Sequence, residues 1–203
     1  MINPIRSARV LRMLVVTGTL AAAMLSTGCA SVYVDTATKE VPVAAMKKPA
    51  QLKPTQVVFE FQTKGAPNAT ATNLLKDGVL AHVAETGLFG PAAAGSSAMV
   101  NIVINNIPLS DDAASKGFVT GLTFGLAGTA VTDGYICTVS YLPAGKSTPI
   151  VKTARHAIHV TIGNASAPAG AGKPVDGNTA IKTMTRDIVS NALRDLSFDP
   201  TFN

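Results

Sequence analysis

The amino-acid sequence predicts an α+β domain in which one antiparallel-dominated sheet of about four strands carries two helices on one face. Two kinds of periodicity indicate this class. Runs of β-branched and aromatic residues alternate with the period of a strand, and two longer segments repeat their apolar residues with the period of a helix. These segments come in the order β-α-β-β-β-α, and an N-terminal stretch of different composition precedes them.

The first strand and the first helix form one β-loop-α unit. The run QVVFEFQ, residues 56–62, places valine and phenylalanine side chains on one face, which is typical of a half-buried strand. After the loop KGAPNAT, Leu75, Val79 and Val83 repeat at fourfold spacing and predict a helix with one apolar stripe. Gly87 suits the left-handed residue that closes a helix, so we expect the helix to end there.

Three further strands and a closing helix follow. Residues 98–109, AMVNIVINNIPL, predict a central or half-buried strand. The runs 135–142 and 150–162 also alternate, and the turn-rich LPAGKSTP between them predicts an antiparallel hairpin. Apolar residues recur at helical spacing over 178–196, so this helix should pack on the sheet. We therefore expect a single domain over residues 54–203.

Residues 1–28 have the three-part organisation of a secretory signal peptide. Arg6, Arg9 and Arg12 supply a positive first region, and residues 13–25 supply a charge-free apolar region that ends in small residues. The apolar run is shorter than the roughly 20 residues that a permanent transmembrane helix needs. Fold reasoning therefore excludes this segment.

The signal peptide closes on the segment LSTGCAS, which resembles the lipobox of bacterial lipoproteins. In that family the thiol of the cysteine, here Cys29, is diacylated and a dedicated signal peptidase cuts before it. The family most often has leucine three positions before the cysteine, whereas here Ser26 holds that place and Leu25 lies one further back. The resemblance implies lipidation at Cys29, and two or three acyl chains together are a firm membrane anchor.

The residues after the cysteine bear on location and on spacing from the membrane. In such lipoproteins an aspartate directly after the cysteine implies retention in the inner membrane, and here Ala30 and Ser31 follow. The resemblance therefore implies the periplasmic face of the outer membrane in a Gram-negative source. Residues 29–53 lack a sustained period and are expected to form the lipidated N-terminus and a flexible linker of roughly 25 to 30 Å.

In outline the domain resembles the small periplasmic domains of several Gram-negative outer-membrane lipoproteins. The segment ETGLF, Glu85 to Phe89, is similar to the end of the first helix in curli-secretion and penicillin-binding-protein-activator lipoproteins, and the closing helix is placed as theirs is. The resemblance implies a binding or assembly domain. It implies no specific role, because a fold does not fix a function.

Charge and composition argue against nucleic acid as a partner. Without Arg6, Arg9 and Arg12, the 17 basic residues of the chain become 14 against 12 acidic ones, a net charge near +2 with no basic cluster. Nucleic-acid binding requires concentrated lysine and arginine. We also expect no cofactor, no metal and no small-molecule substrate.

Residues 117–134 are the main candidate for an interaction site. This segment is apolar and glycine-rich, and it carries no charge between Lys116 and Asp133. The spacing of Gly121 and Gly125 permits close helix approach in lipid, yet the segment is too short to span a bilayer. It is an exposed apolar hairpin that contacts membrane or partner, an element packed on the domain, or an oligomerisation surface. The candidate residues are Gly117, Phe118, Val119, Gly121, Leu122, Phe124, Gly125, Leu126 and Gly128.

Catalysis has little support in the sequence, and we expect a non-enzymatic protein. His156 and His159 lie three apart on a predicted strand, so their side chains should point to opposite faces and cannot share a metal. His82 falls near the apolar face of the first helix, where we expect a hydrogen-bonded structural histidine. Cys137 should be a buried inert thiol, and no serine lies in a GxSxG motif.

The sequence thus predicts a lipid-anchored envelope lipoprotein whose domain binds another envelope protein or associates with itself. The alternative is a subunit of an envelope transport or secretion assembly that uses residues 117–134 at a membrane or ring interface.

Overall fold

The computed structural model describes residues 30–108, 130–163 and 165–202. These residues form seven strands, two α-helices and one 3-10 turn. The strands are β1 (Ala30–Asp35), β2 (Thr55–Thr63), β3 (Ala66–Pro67), β4 (Ala98–Pro108), β5 (Ala130–Leu142), β6 (Ile150–Ile162) and β7 (Ala171–Val175); the helices are α1 (Ala69–Thr86) and α2 (Gly177–Ser197); the 3-10 turn is Val43–Ala45.

All seven strands belong to one sheet, in the order β3-β2-β4-β5-β6-β1-β7. Each pair of neighbours is antiparallel except β2 and β4, which run parallel because α1 connects them as a crossover. The predicted α+β class is confirmed. The expected count of about four strands and the order β-α-β-β-β-α are wrong, since the described order is β-β-β-α-β-β-β-β-α.

The core lies between the sheet and the two helices. Alternate residues of the central strands point into it, so that Ile102 of β4 lies beside Phe59 of β2 and Val139 of β5. Both helices contribute buried side chains to the same core, as the sequence predicted for helices on one face. Cys137 belongs to this core, so the expected burial is confirmed, and burial raises the pKa of its thiol to about 12.

The β5–β6 hairpin forms as predicted, but β5 is longer than the sequence indicates. It begins at Ala130 rather than Tyr135, and its first residues pair with the end of β6. Residues 130–134 of the predicted insert 117–134 are therefore strand. Their apolar alternation is weak because Asp133 occupies the position between Val131 and Tyr135 on one face, and only the pairing with β6 completes the strand.

Local capping fixes both ends of α1. The side chain of Asn68 accepts a hydrogen bond from the N–H of Ala71 at the first turn. Gly87 closes the helix at a φ of 59°, in the left-handed region that favours glycine. Leu88 is buried, and the ring of Phe89 lies 5.4 Å from that of Tyr141. The predicted end of the first helix is confirmed.

The helix α2 lies over β5, β6 and β1. Asp176 caps it through the N–H of Thr179, as an acidic residue at a helix start should. The apolar stripe predicted from the sequence faces the core. Its buried members are Met184, Ile188, Ala192 and Leu196, and Ile181 is partly buried.

The expectation that residues 29–53 form a flexible linker is wrong for the part that the structure describes. Ala30–Asp35 is strand β1, inserted between β6 and β7. The following stretch lies along α2, where the N–H of Val41 donates to Ser190 Oγ (2.8 Å) and the N–H of Lys47 donates to Ser197 Oγ (3.1 Å). The strand was missed because a six-residue run gives little periodicity and its partner lies more than a hundred residues away.

A protein truncated to begin at Pro54, the boundary that the sequence suggested, should therefore not fold stably. It lacks β1, so β6 and β7 lose their shared neighbour, and it lacks Met46, which is buried in the core. We expect a broad, non-cooperative thermal transition by circular dichroism, where a protein that begins at Ala30 melts cooperatively. Equal melting temperatures for the two proteins would contradict the structural role of the N-terminal stretch.

Candidate functional site

The predicted site residues lie outside the described part of the chain, but the structure places the residues that flank them. Cys29 precedes the first residue of β1, and the segment with residues 117–128 joins β4 to β5. We call one end of the sheet, where its strands begin or end, the N-terminal rim. It is marked by the start of β1 at Ala30, the end of β4 at Pro108, the start of β5 at Ala130 and the end of β6 at Ile162. None of the nine candidate residues of the segment is described.

Strand register brings the two predicted features close together. Ala30 pairs with Ile162 on one side of β6, and Ala130 pairs with Thr161 on its other side. Because neighbouring strands lie about 4.8 Å apart, the backbones at Ala30 and Ala130 are separated by about 10 Å. The residue after Cys29 and the exit of the glycine-rich segment therefore share one short stretch of the rim.

Apolar surface accompanies this stretch of the rim. Val131 is 54 % exposed and Ile162 is 52 % exposed, although both belong to strands. Val160 of β6 pairs with Val131 on one side and with Val32 on the other, and both Val32 and Val160 are half-buried. This end of the sheet therefore carries two exposed apolar side chains next to the points where the chain enters β1 and β5.

Both helices start at the N-terminal rim and run away from it. The helix α1 begins just after β3, and β3 pairs with the end of β2 that lies at the rim. Gly90 follows the end of α1 and forms a bridge with Pro54, which lies at the opposite end of β2. The helix α2 begins after Val175, which pairs with Val32 near the rim. In the described residues no helix is long and apolar enough to cross a membrane.

The two histidines of β6 point to opposite faces of the sheet, as their spacing predicted. On the helix side, Nε2 of His156 lies 3.1 Å from Oδ2 of Asp187 in α2. The backbone N–H of Ala157 donates to Nδ1 of His156 (2.8 Å), and in the tautomer that accepts this bond Nε2 carries the proton that points at the carboxylate. This ring therefore fastens α2 to β6.

On the other face, His159 links three strands. Its Nε2 lies 3.1 Å from Oδ2 of Asp35 in β1, and its Nδ1 lies 2.9 Å from the hydroxyl of Thr132 in β5. The side chains of His159 and Asp35 are both fully buried. Both ring nitrogens of His156 and of His159 lie within hydrogen-bonding distance of protein groups, so neither ring offers a free lone pair to a substrate.

Asp35 and Asp187 are both among the residues that line one cleft of about 250 Å³ between β1, β7 and α2. Lys39 and Lys173 also line it. Burial by itself raises the pKa of Asp35, but the hydrogen bonds from His159 and from the N–H of Ala37 outweigh it, so the pKa is held below its usual value. Within the described ranges no group of three or more His, Cys, Asp or Glu side chains could hold a metal ion.

Sequence reasoning found the histidines but not their partners. Asp35 was assigned to the linker, and Asp187 is one of several polar residues of an amphipathic helix. The sequence offers one signal for such partners, which is that β6 carries a histidine on each of its faces. A histidine that is buried there requires a hydrogen-bonding partner. Which carboxylate serves each ring depends on the sheet order.

Replacing Asp35 by alanine should destabilise the domain by about 1 to 3 kcal/mol, because Nε2 of the buried His159 would lose its partner. The folded-state pKa of Asp35 is depressed, so its contribution is present above the unfolded pKa of about 3.9 and is lost as the pH falls through the folded value. We expect the stability difference between wild type and Asp35→Ala, measured by urea unfolding, to narrow below about pH 4. Asp195→Ala, which removes an exposed partner of Arg194, is the control and should change stability by less than about 0.5 kcal/mol.

Comparison of the whole chain with known protein families found no match, and comparison with curated proteins found none either. A proposal about function therefore rests on the rim, the cleft and the surfaces that the fold presents.

Proposed function

We propose that the protein is a lipid-anchored envelope lipoprotein, attached through Cys29, whose domain is non-enzymatic and binds another envelope protein or a second copy of itself. In a Gram-negative cell the proposed location is the periplasmic face of the outer membrane. The observation that carries the proposal is the position of Ala30 at the N-terminal rim. The strand before the apolar segment, β4, ends at this rim, and the strand after it, β5, begins there.

Anchoring at Cys29 would hold the domain against the bilayer rather than at a distance. One residue of extended chain spans at most about 3.6 Å, so the acylated side chain would lie next to the first residue of β1. The exposed Val131 and Ile162 would then face the interfacial region of the lipid. The flexible spacer expected from the sequence would be absent.

The two histidines of β6 and the buried cysteine support a binding protein over an enzyme. His156 and His159 use both ring nitrogens in structural hydrogen bonds, and the Cys137 thiol is buried with a raised pKa. A catalytic site needs a base or nucleophile that can reach a substrate. These groups instead tie β1, β5, β6 and α2 together.

A second candidate function is a subunit of an envelope transport or secretion assembly. The observation that favours it is that both ends of the glycine-rich segment, Pro108 and Ala130, lie at the rim. A segment that starts and ends there could contact the bilayer and a neighbouring copy at once. The sequence predicts such an interface for residues 117–134. Of these, residues 130–134 belong to β5.

Cys29→Ser should abolish acylation and release the protein from membranes. We expect incorporation of a palmitate analogue to fall to background and the protein to move from the membrane pellet to the supernatant. The chain has only two cysteines, so Cys137→Ala is the matched control and should keep both label and membrane association. Label that survives in Cys29→Ser would rule out this anchor.

Replacing residues 117–128 by a short Gly-Ser linker in the Cys29→Ser protein tests the assembly alternative. If the segment forms a ring interface, sedimentation velocity should show large oligomers with the segment and monomers without it, at equal melting temperature. A monomer in both cases would exclude the assembly and leave a binding lipoprotein.

A further inference from the structure

One chain of charged side chains connects α1, α2 and the stretch between β1 and β2. Arg186 of α2 donates from Nη2 to Oε2 of Glu85 in α1 (2.8 Å) and from Nε to Oε1 of Glu40 in that stretch (2.7 Å). The three side chains are 39 to 51 % exposed, so these ion pairs by themselves add little to stability. They gain a consequence from the buried ring beside them, which belongs to His82.

His82 of α1 is sealed from solvent next to this chain of charges. The residue is 2 % exposed, and each ring nitrogen has less than 1 Å² of accessible surface. Nδ1 lies 3.5 Å from Oε2 of Glu85, the same oxygen that accepts from Arg186, and neither ring nitrogen forms a hydrogen bond with a described residue. The expected burial of His82 is confirmed, whereas the expected hydrogen bond is wrong.

The surroundings of the ring disfavour a second proton. Burial removes the water that would solvate an imidazolium, and the positive charge of Arg186 opposes it, so the pKa of His82 is lowered. The negative charges of Glu85 and Glu40 act in the opposite sense and offset these effects only in part. The ring is therefore neutral near pH 7 and becomes charged when the pH falls below the ordinary histidine range.

The other groups around the ring come from α1 itself and from the elements packed against it. Asp77 of α1 and Lys182 of α2 line the same cavity of about 390 Å³ as His82, and their charges are opposite in sign. Beneath α1, the strand β2 presents uncharged side chains to the core, which are Val57, Phe59 and Phe61. Arg186 and the two glutamates are therefore the charges that set the balance at the ring.

Protonation of His82 would set two cations against one carboxylate. The imidazolium and the guanidinium of Arg186 would both face Glu85 and would repel each other. Arg186 would then have to leave Glu85, or His82 would have to turn out of the interface to reach water. Either movement weakens the contact between α1 and α2, and neither is needed while the ring is neutral.

We propose that His82 makes the contact between α1 and α2 sensitive to acid. With the ring neutral, Arg186 bridges α1 to the stretch between β1 and β2; with the ring protonated, α1 loosens from α2 and this bridge opens. The inference goes beyond the proposed function, because it adds control by pH to the face of the domain that carries both helices. The groups involved include neither Cys29 nor any of residues 117–128, so this control does not depend on the anchor.

Hydrogen exchange of the full chain in detergent micelles, followed by mass spectrometry, tests the proposal. The open state binds the proton more readily than the closed state, so the closed contact is fully stable above about pH 6.5 and is weakened as the pH falls below that value. We expect protection of the α1 amides, corrected for the intrinsic exchange rate, to fall about threefold or more between pH 7 and pH 5. Equal protection at the two pH values would overturn the proposal. An NMR titration of the wild type in which the pKa of His82 is at or above the ordinary histidine value would overturn it too.

Variants identify the group that takes up the proton. His82→Gln and His82→Leu cannot titrate, so the fall in α1 protection at pH 5 should disappear in each of them that folds at pH 7 by circular dichroism. Arg186→Gln removes the repelling charge and should reduce the fall. Arg194→Gln, which removes an exposed ion pair with Asp195 on the same helix, is the control and should keep it. A fall of wild-type size in a folded His82 variant would overturn the proposal, because another group would then be the sensor.

Discussion

The insertion of β1 between β6 and β7 is the constraint on which the rest of the structure depends. It carries Asp35 to the buried ring of His159, and it directs the following residues along α2, where Val41 and Lys47 bond to serine hydroxyls of that helix. It also fixes the residue after Cys29 at one edge of the sheet. A single long-range pairing thus determines the strand order, the buried polar network and the point at which an anchor would attach.

The three histidines divide into two classes by their hydrogen bonds. His156 and His159 are fully engaged, each with a carboxylate on one nitrogen and a backbone or hydroxyl donor on the other, so each acts as a crosslink between elements. His82 is as deeply buried but lacks such partners. Its Nδ1 lies 3.5 Å from Oε2 of Glu85, so His82 does not crosslink elements as the other two histidines do.

The anchor proposed at the rim also sets how the two helices would lie relative to the membrane. The rim presents Val131, Ile162 and the ends of the glycine-rich segment on one side, while α1 and α2 begin there and extend away. If lipid holds the rim, the two helices extend away from the membrane surface and stay accessible to a partner. Short spacing from the membrane would then restrict partners to those that approach near the bilayer surface.

The sequence by itself determined the elements whose signals are local: the α+β class, the β5–β6 hairpin, α1 with its end at Gly87, and the buried stripe of α2. Each follows from periodicity or from the conformational freedom of one residue. Only the tertiary structure decided that Ala30–Asp35 is a strand and that Asp35 and Asp187 serve the two histidines of β6. These depend on contacts between residues far apart in the chain, and a short polar or β-prone run carries no local record of the partner that completes it.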